Sequence, residues 1–161
     1  MNAMDRTMPE PRVLFVCLGN ICRSPLAEAA FRAEAARAGL AAVADSAGTA
    51  DYHIGEPPDP RAVRMAAQFG TDISGYRGRQ AVSADFTRFS HIFALDQSNL
   101  ANLQRIAPAG HPARLALLLD LVPGREGQSV ADPWYGNEED FLVTWDEVSV
   151  AARQLVKELQ R

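Results

Sequence analysis

Cys17 and Cys22 are the only two cysteines of this 161-residue chain. They bracket the run Cys17-Leu18-Gly19-Asn20-Ile21-Cys22, which continues directly into Arg23-Ser24-Pro25. Gly19 permits unusual backbone dihedrals, and Asn20 tolerates the left-handed region better than most residues. A loop wound in that way turns successive N–H groups inward, and a helix starting at its end adds positive potential. Arg23 brings a planar fork of donors matched to phosphate oxygens, with a charge that does not titrate away. Leu18, Gly19, Asn20, Ile21, Cys22, Arg23 and Ser24 thus read as a phosphate-binding loop, with Cys17 as the nucleophile at its base. A cysteine thiol near its ordinary pKa of ~8.5 is only about 3% ionised at neutral pH. Full ionisation of such a group gains roughly 30-fold, or ~2 kcal/mol. Phosphoryl transfer needs much more, so charge stabilisation by the loop and Arg23 must supply the larger share. The Ser24 hydroxyl is placed to hydrogen-bond the sulfur and help it leave. A cysteine that ends a buried strand is usually a small core residue; here the Gly, Asn, Arg, Ser and Pro in register argue for chemistry.

That register requires a strand before the loop and a helix after it. Arg12 to Val16 is apolar without alternation, as expected for a strand buried on both faces. The Ala-rich stretch to Ala38 reads as a helix, with Ser24 as N-cap, Pro25 in its first turn and Gly39 as its stop. Further strands are predicted at Ala42–Asp45, His91–Leu95 and Leu115–Val122. Further helices are predicted at Arg61–Phe69, Gln97–Ile106 and Glu138–Gln160, with loop over Gly124–Asn137. The alternation predicts an α/β fold: a four-stranded parallel sheet flanked by helices on both faces. Ligands of such sheets sit beyond the carboxyl ends of the strands, where the Cys17 loop lies. Residues 1–11 read as a flexible polar leader, and residues 12–161 as a single domain.

Composition narrows the function classes. The chain is 47% hydrophobic and 22% charged, ordinary for a soluble globular domain. No apolar run approaches the ~18 residues of a membrane span. The net charge of -4 disfavours nucleic acid as a partner. Two cysteines exclude a disulfide-stapled fold and a four-cysteine zinc site, and suggest a reducing cytoplasm. His53, His91 and His111 lack metal-ligand spacing and read as structural or exposed.

Val16 to Glu28 resembles the signature of the low-molecular-weight protein tyrosine phosphatases, and the likeness runs along nearly the whole chain after the leader. Ser46-Ala47-Gly48-Thr49, Pro58-Asp59-Pro60-Arg61-Ala62, Arg79-Gln80 and Asp132-Pro133-Trp134-Tyr135-Gly136 carry it further. The resemblance implies phosphotyrosine hydrolysis through a phosphocysteine intermediate, with neither metal nor cofactor. It also implies a tyrosine-phosphorylated protein substrate, with a bacterial tyrosine kinase as one candidate. Asp132 becomes the general acid and then base; without the resemblance an Asp-Pro is merely a turn initiator. Tyr52, Trp134 and Tyr135 become walls for an aromatic ring, and Asn20, Ser24 and Ser46 become supports of the loop. Where the family commonly carries a histidine before the Arg-Gln segment, this chain has Tyr76, so any imidazole-dependent pH effect should be missing. Arg12, Arg77 and Arg79 read as solvated charge, Arg79 alone of them matching a family position, and Asp96 receives no role.

Three other readings compete. An arsenate reductase on a related fold needs cysteines downstream of Cys22, and there are none. Phosphoarginine hydrolysis is disfavoured by Ile21, bulkier than the threonine associated with that preference. A silent phosphate-binding module would not need Cys17, Arg23 and Asp132 together. Cys22 has two readings of similar weight, a resolving thiol for an oxidised Cys17 or a packing residue.

Overall fold

The computed structural model describes residues 9–161, so residues 1–8 of the expected leader lie outside the described residues. Four strands form the sheet: β1 (Arg12–Cys17), β2 (Val43–Gly48), β3 (His91–Ala94) and β4 (Arg114–Leu117). Their order is β2-β1-β3-β4, and every neighbouring pair is parallel. The chain therefore leaves the central β1 toward β2 and later returns to β1's other edge as β3. That reversal opens a crevice at the carboxyl end of β1, which is where the sequence places the phosphate loop.

Side chains of a strand alternate between faces, and β1 divides the core accordingly. Val13, Phe15 and Cys17 pack under helices α1 (Arg23–Ala38), α2 (Pro60–Gln68) and α5 (Glu138–Leu159). Leu14 and Val16 pack on the other face, with Phe86 of the single-turn α3 (Asp85–Arg88) and Leu103 of α4 (Gln97–Ile106). No helix among the described residues is long and apolar enough to cross a membrane.

Several boundaries differ from expectation for identifiable reasons. Helix α1 starts at Arg23 with Cys22 as N-cap and no side-chain cap, so Ser24 is not the cap. Its hydroxyl is engaged at the sulfur of Cys17 instead. Gly39 does end α1, in the left-handed conformation at φ 68°. Strand β2 runs three residues beyond the expected Asp45, through Ser46 and Ala47 to Gly48, paired with Cys17. The predicted strand Leu115–Val122 is divided: β4 stops at Leu117 and a 3-10 turn covers Leu118–Leu121. Asp120 causes the turn by accepting from Leu117 N and Gly127 N at 3.2 and 2.8 Å. Leu118, Leu119 and Leu121 stay buried, so the apolar run alone does not separate the two conformations. Helix α3 was not anticipated, being a single turn. At the leader boundary, Pro11 already accepts from Val43 N at 2.8 Å and is tied to the sheet.

Candidate active site

The loop from Cys17 to Arg23 is anchored on all sides by backbone hydrogen bonds. Thr49 N donates to Cys17 O, Ala50 N to Leu18 O and Asp59 N to Ile21 O, at 2.9, 3.0 and 2.9 Å. Gly48 is required for this contact, because a Cβ there would lie 2.8 Å from Leu18 O. Asn20 is the one non-glycine residue with positive φ, 59°, among the described residues. It holds that conformation through a buried, fully used side chain. Its Nδ2 donates to Ser24 Oγ and Ser46 Oγ at 2.8 and 3.0 Å, and its Oδ1 accepts from Arg79 N at 3.0 Å. These three bonds orient the amide and offset the strain of the left-handed backbone.

The wound loop brings donors to the sulfur of Cys17. Asn20 N donates to Sγ at 3.3 Å, and Ser24 Oγ lies 3.1 Å from it. Because Ser24 Oγ already accepts from Asn20, its hydroxyl proton is free for an acceptor. The sulfur is nearer than the Ala47 carbonyl at 3.4 Å. Cys22, at the other end of the loop, is also buried and free. Burial, then the charges of Asp59 and Cys17, push its thiol well above the usual cysteine range, so it is neutral at physiological pH.

Arg23 is buried at the start of α1. Its Nη1 donates to Asp96 Oδ2 at 2.8 Å and to Val130 O at 3.0 Å. Nη2 lies 3.7 Å from Asp132 Oδ2, and among the described residues nothing accepts from Nε. One edge of the guanidinium is thus anchored while the other is available to an anion. Burial opposes the charge, but Cys17, Asp96 and Asp132 outweigh it and hold the pKa above its ordinary value.

A cavity of about 280 Å³ opens at this point. Cys17, Leu18, Gly19, Ile21, Cys22 and Arg23 line one side, and Tyr52, Asp132, Trp134 and Tyr135 the other. Asn20, Ser24 and Ser46 lie buried behind the loop. Every site residue expected from the sequence therefore converges on one place. Tyr52 is 67% exposed and Tyr135 97%, so their rings stand free at the rim rather than packing into the core.

The family model for low molecular weight phosphotyrosine protein phosphatase matches residues 12–161. The chain belongs to that family. A phosphatase of Saccharomyces cerevisiae with the same family name is 38% identical over 92% of this chain and 95% of its own. The low molecular weight protein-tyrosine-phosphatase YfkJ of Bacillus subtilis is also 38% identical, over 92% of this chain and 96% of its own. Among solved structures, the protein tyrosine phosphatase of Entamoeba histolytica superposes with a TM-score of 0.88. It is 34% identical and covers 94% of this chain and 97% of its own.

Four residues of this phosphatase carry more than the sequence disclosed. Asp96, left without a role, uses both carboxylate oxygens: Oδ2 anchors Arg23, and Oδ1 caps α4 by accepting from Asn99 N at 2.7 Å. His53, read as structural or exposed, lines the cavity, with its ring 6.2 Å from Trp134 and Nδ1 3.2 Å from Glu56 Oε2. Arg79 is not solvated charge, since it pairs with Asp45 and Asp85 while its amide holds Asn20. Tyr76, in the family histidine's place, is half-buried against Glu28 and Arg32. Burial first, then Glu28, pushes its phenol up to about 12, so the group is neutral throughout the physiological range. A signal for Asp96 existed in its place at the end of β3; nothing in the local sequence marked His53.

Proposed function

We propose that this phosphatase hydrolyses phosphotyrosine in two steps through Cys17, Arg23 and Asp132. The supporting observation is the convergence of a thiol, an anchored guanidinium and a carboxyl group on one cavity rimmed by aromatic rings. In the first step the Cys17 sulfur, reacting as the thiolate, bonds to phosphorus while the phosphorus–oxygen bond to the phenol breaks, and Asp132 gives its proton to the departing oxygen. In the second, the Asp132 carboxylate takes a proton from water, the water oxygen bonds to phosphorus, and the sulfur–phosphorus bond breaks. The Ser24 hydroxyl donates to the departing sulfur, and Arg23 with the loop N–H groups carries the phosphoryl charge in both steps. Tyr52, Trp134 and Tyr135 favour an aryl ester. Ile21 in the lining disfavours phosphoarginine, and the absence of cysteines beyond Cys22 disfavours arsenate reduction.

The proposed substrate is a tyrosine-phosphorylated protein, a bacterial tyrosine kinase among the candidates, met in a reducing cytoplasm. The test of the acid is Asp132→Ala assayed across leaving groups. Phenyl phosphate and phosphotyrosine should slow by roughly 10²–10⁴-fold, the usual contribution of a general acid. p-Nitrophenyl phosphate should lose much less, because its leaving group needs the proton less. Equal losses would reduce Asp132 to a structural residue.

Redox sensitivity belongs to the same proposal. Peroxide takes the Cys17 sulfur to sulfenic acid, and attack by Cys22 sulfur forms the disulfide and releases water. Bound phosphate, filling the cradle, protects both sulfurs. After peroxide treatment, dithiothreitol should restore most activity to wild type and much less to Cys22→Ser, each scaled to its own starting rate. Equal recovery would leave Cys22 as a packing residue.

A further inference from the structure

Asp132 lies on a loop, and its position is set by the segment that carries it. Trp134 N donates to Asp132 Oδ1 at 3.1 Å, and Gly136 N closes a turn on Pro133 O at 2.8 Å. The segment then enters α5 through Asn137, whose side chain caps the helix. One residue outside the cavity lining holds this segment from the side. Arg61, in the first turn of α2, donates from Nη1 to Gly136 O at 3.1 Å. Its guanidinium carbon lies 5.6 Å from the centre of the Trp134 ring and 4.7 Å from that of the buried Phe141. Arg61 is itself fixed by Asp59, which accepts from its Nε at 3.0 Å and its Nη2 at 2.9 Å. Asp59 in turn belongs to the phosphate loop's scaffold, since its amide donates to Ile21 O.

We infer that Arg61 is a positioning residue for the proton-transfer half of the site. The path Ile21–Asp59–Arg61–Gly136/Trp134–Asp132 ties the acid's loop to the nucleophile's loop and fixes the distance between the two. The inference rests on the reading of Asp132 as the general acid. Its chemistry requires arginine in particular. Two donors face Asp59, a third reaches a carbonyl at an angle, and the flat faces meet two aromatic rings. A lysine ammonium supplies a single point charge and satisfies at most one of these partners at a time. Without the tie, the loop keeps its attachment to α5 and its distant contact with Arg23, but the carboxyl is no longer held in register with the leaving oxygen.

The experiment compares Arg61→Met and Arg61→Lys with wild type on phenyl phosphate and p-nitrophenyl phosphate. Methionine retains the apolar packing against Phe141 while removing every hydrogen bond of the guanidinium. The expected result for Arg61→Met is a fall in kcat on phenyl phosphate of roughly 10- to 100-fold, the scale of an ångström-sized misplacement. The fall on p-nitrophenyl phosphate should be several-fold smaller, KM and inhibition by inorganic phosphate should hold, and lysine should not rescue. Acrylamide should quench the emission of the variant more strongly, reporting the freed Trp134, since the other tryptophan, Trp145, is buried. Combined with Asp132→Ala, Arg61→Met should add almost nothing on phenyl phosphate. If Arg61→Met misfolds, Asp59→Asn keeps a competent helix cap, removes the ion pair and should show the same leaving-group dependence in weaker form. Equal losses on both substrates, or additive losses in the double variant, would overturn the positioning role while leaving Asp132's own leaving-group dependence intact. Loss of that dependence in Asp132→Ala alone would instead remove the acid reading, and this inference with it.

Discussion

Cys17→Ser should reduce turnover of aryl phosphates to background, a loss of roughly 10⁵-fold or more, as when a nucleophile is removed outright. Inhibition by phosphate or vanadate should change little, because the side chains that shape the cradle are also held by partners other than the sulfur. Asn20 is fixed by Ser24, Ser46 and Arg79, and Arg23 by Asp96 and Val130. The substitution swaps a polarisable sulfur for a hydroxyl oxygen that is a poor nucleophile without a base. Nothing adjacent supplies that base, since Ser24 and Asn20 N both face Sγ as donors. A steady-state rate with p-nitrophenyl phosphate and an inhibition constant for vanadate check both halves. Appreciable turnover by the serine variant would sink the phosphocysteine mechanism, and loss of vanadate binding would show that the loop had collapsed.

The parts of this site that were legible in the sequence are those encoded locally. An unalternating apolar run, a Gly-Asn pair and an Arg-Ser-Pro start placed a strand, a wound loop and a helix N-terminus in their right order. The structure finds the donors where that order requires them. What escaped was set by tertiary pairing. Asp96 and Arg23 are 73 residues apart and Arg61 and Gly136 are 75 apart, and no local spacing joins either pair. Ser24 misled for a related reason, because a serine before a proline-started helix has the local form of an N-cap. Its hydroxyl is claimed by a partner on the preceding strand. The Leu115–Val122 run was equally ambiguous, since burial fixes its composition while a single acid, Asp120, bends its backbone. Tyr76 was legible as a departure from the family, but its consequence depended on burial beside Glu28 and Arg32, which only the fold decides.

Arg23→Lys should also be severely damaging, although it conserves charge. The guanidinium divides its work by geometry: Nη1 gives both protons to Asp96 and Val130 O, while Nε and Nη2 make no hydrogen bond among the described residues and are left for an anion. A lysine has one nitrogen for both duties. Placed with Asp96, it leaves the phosphoryl oxygens without their bidentate donor; drawn to the phosphate, it strands the Asp96 carboxylate and the buried Val130 carbonyl. In either position the transferring phosphoryl group loses charge stabilisation that an arginine supplies at roughly 10³–10⁵-fold in related chemistry. We therefore expect kcat with p-nitrophenyl phosphate to fall by at least the lower end of that range. The competitive constant for phosphate should weaken as well, because the ground-state dianion uses the same edge. Cys17→Ser spares anion binding and removes turnover, whereas Arg23→Lys must impair both, and the pair of constants separates the two roles. Near-normal kinetics in the lysine variant would mean that the anion sits elsewhere and that the anchored fork serves only to hold Asp96 and the Val130 carbonyl against α1.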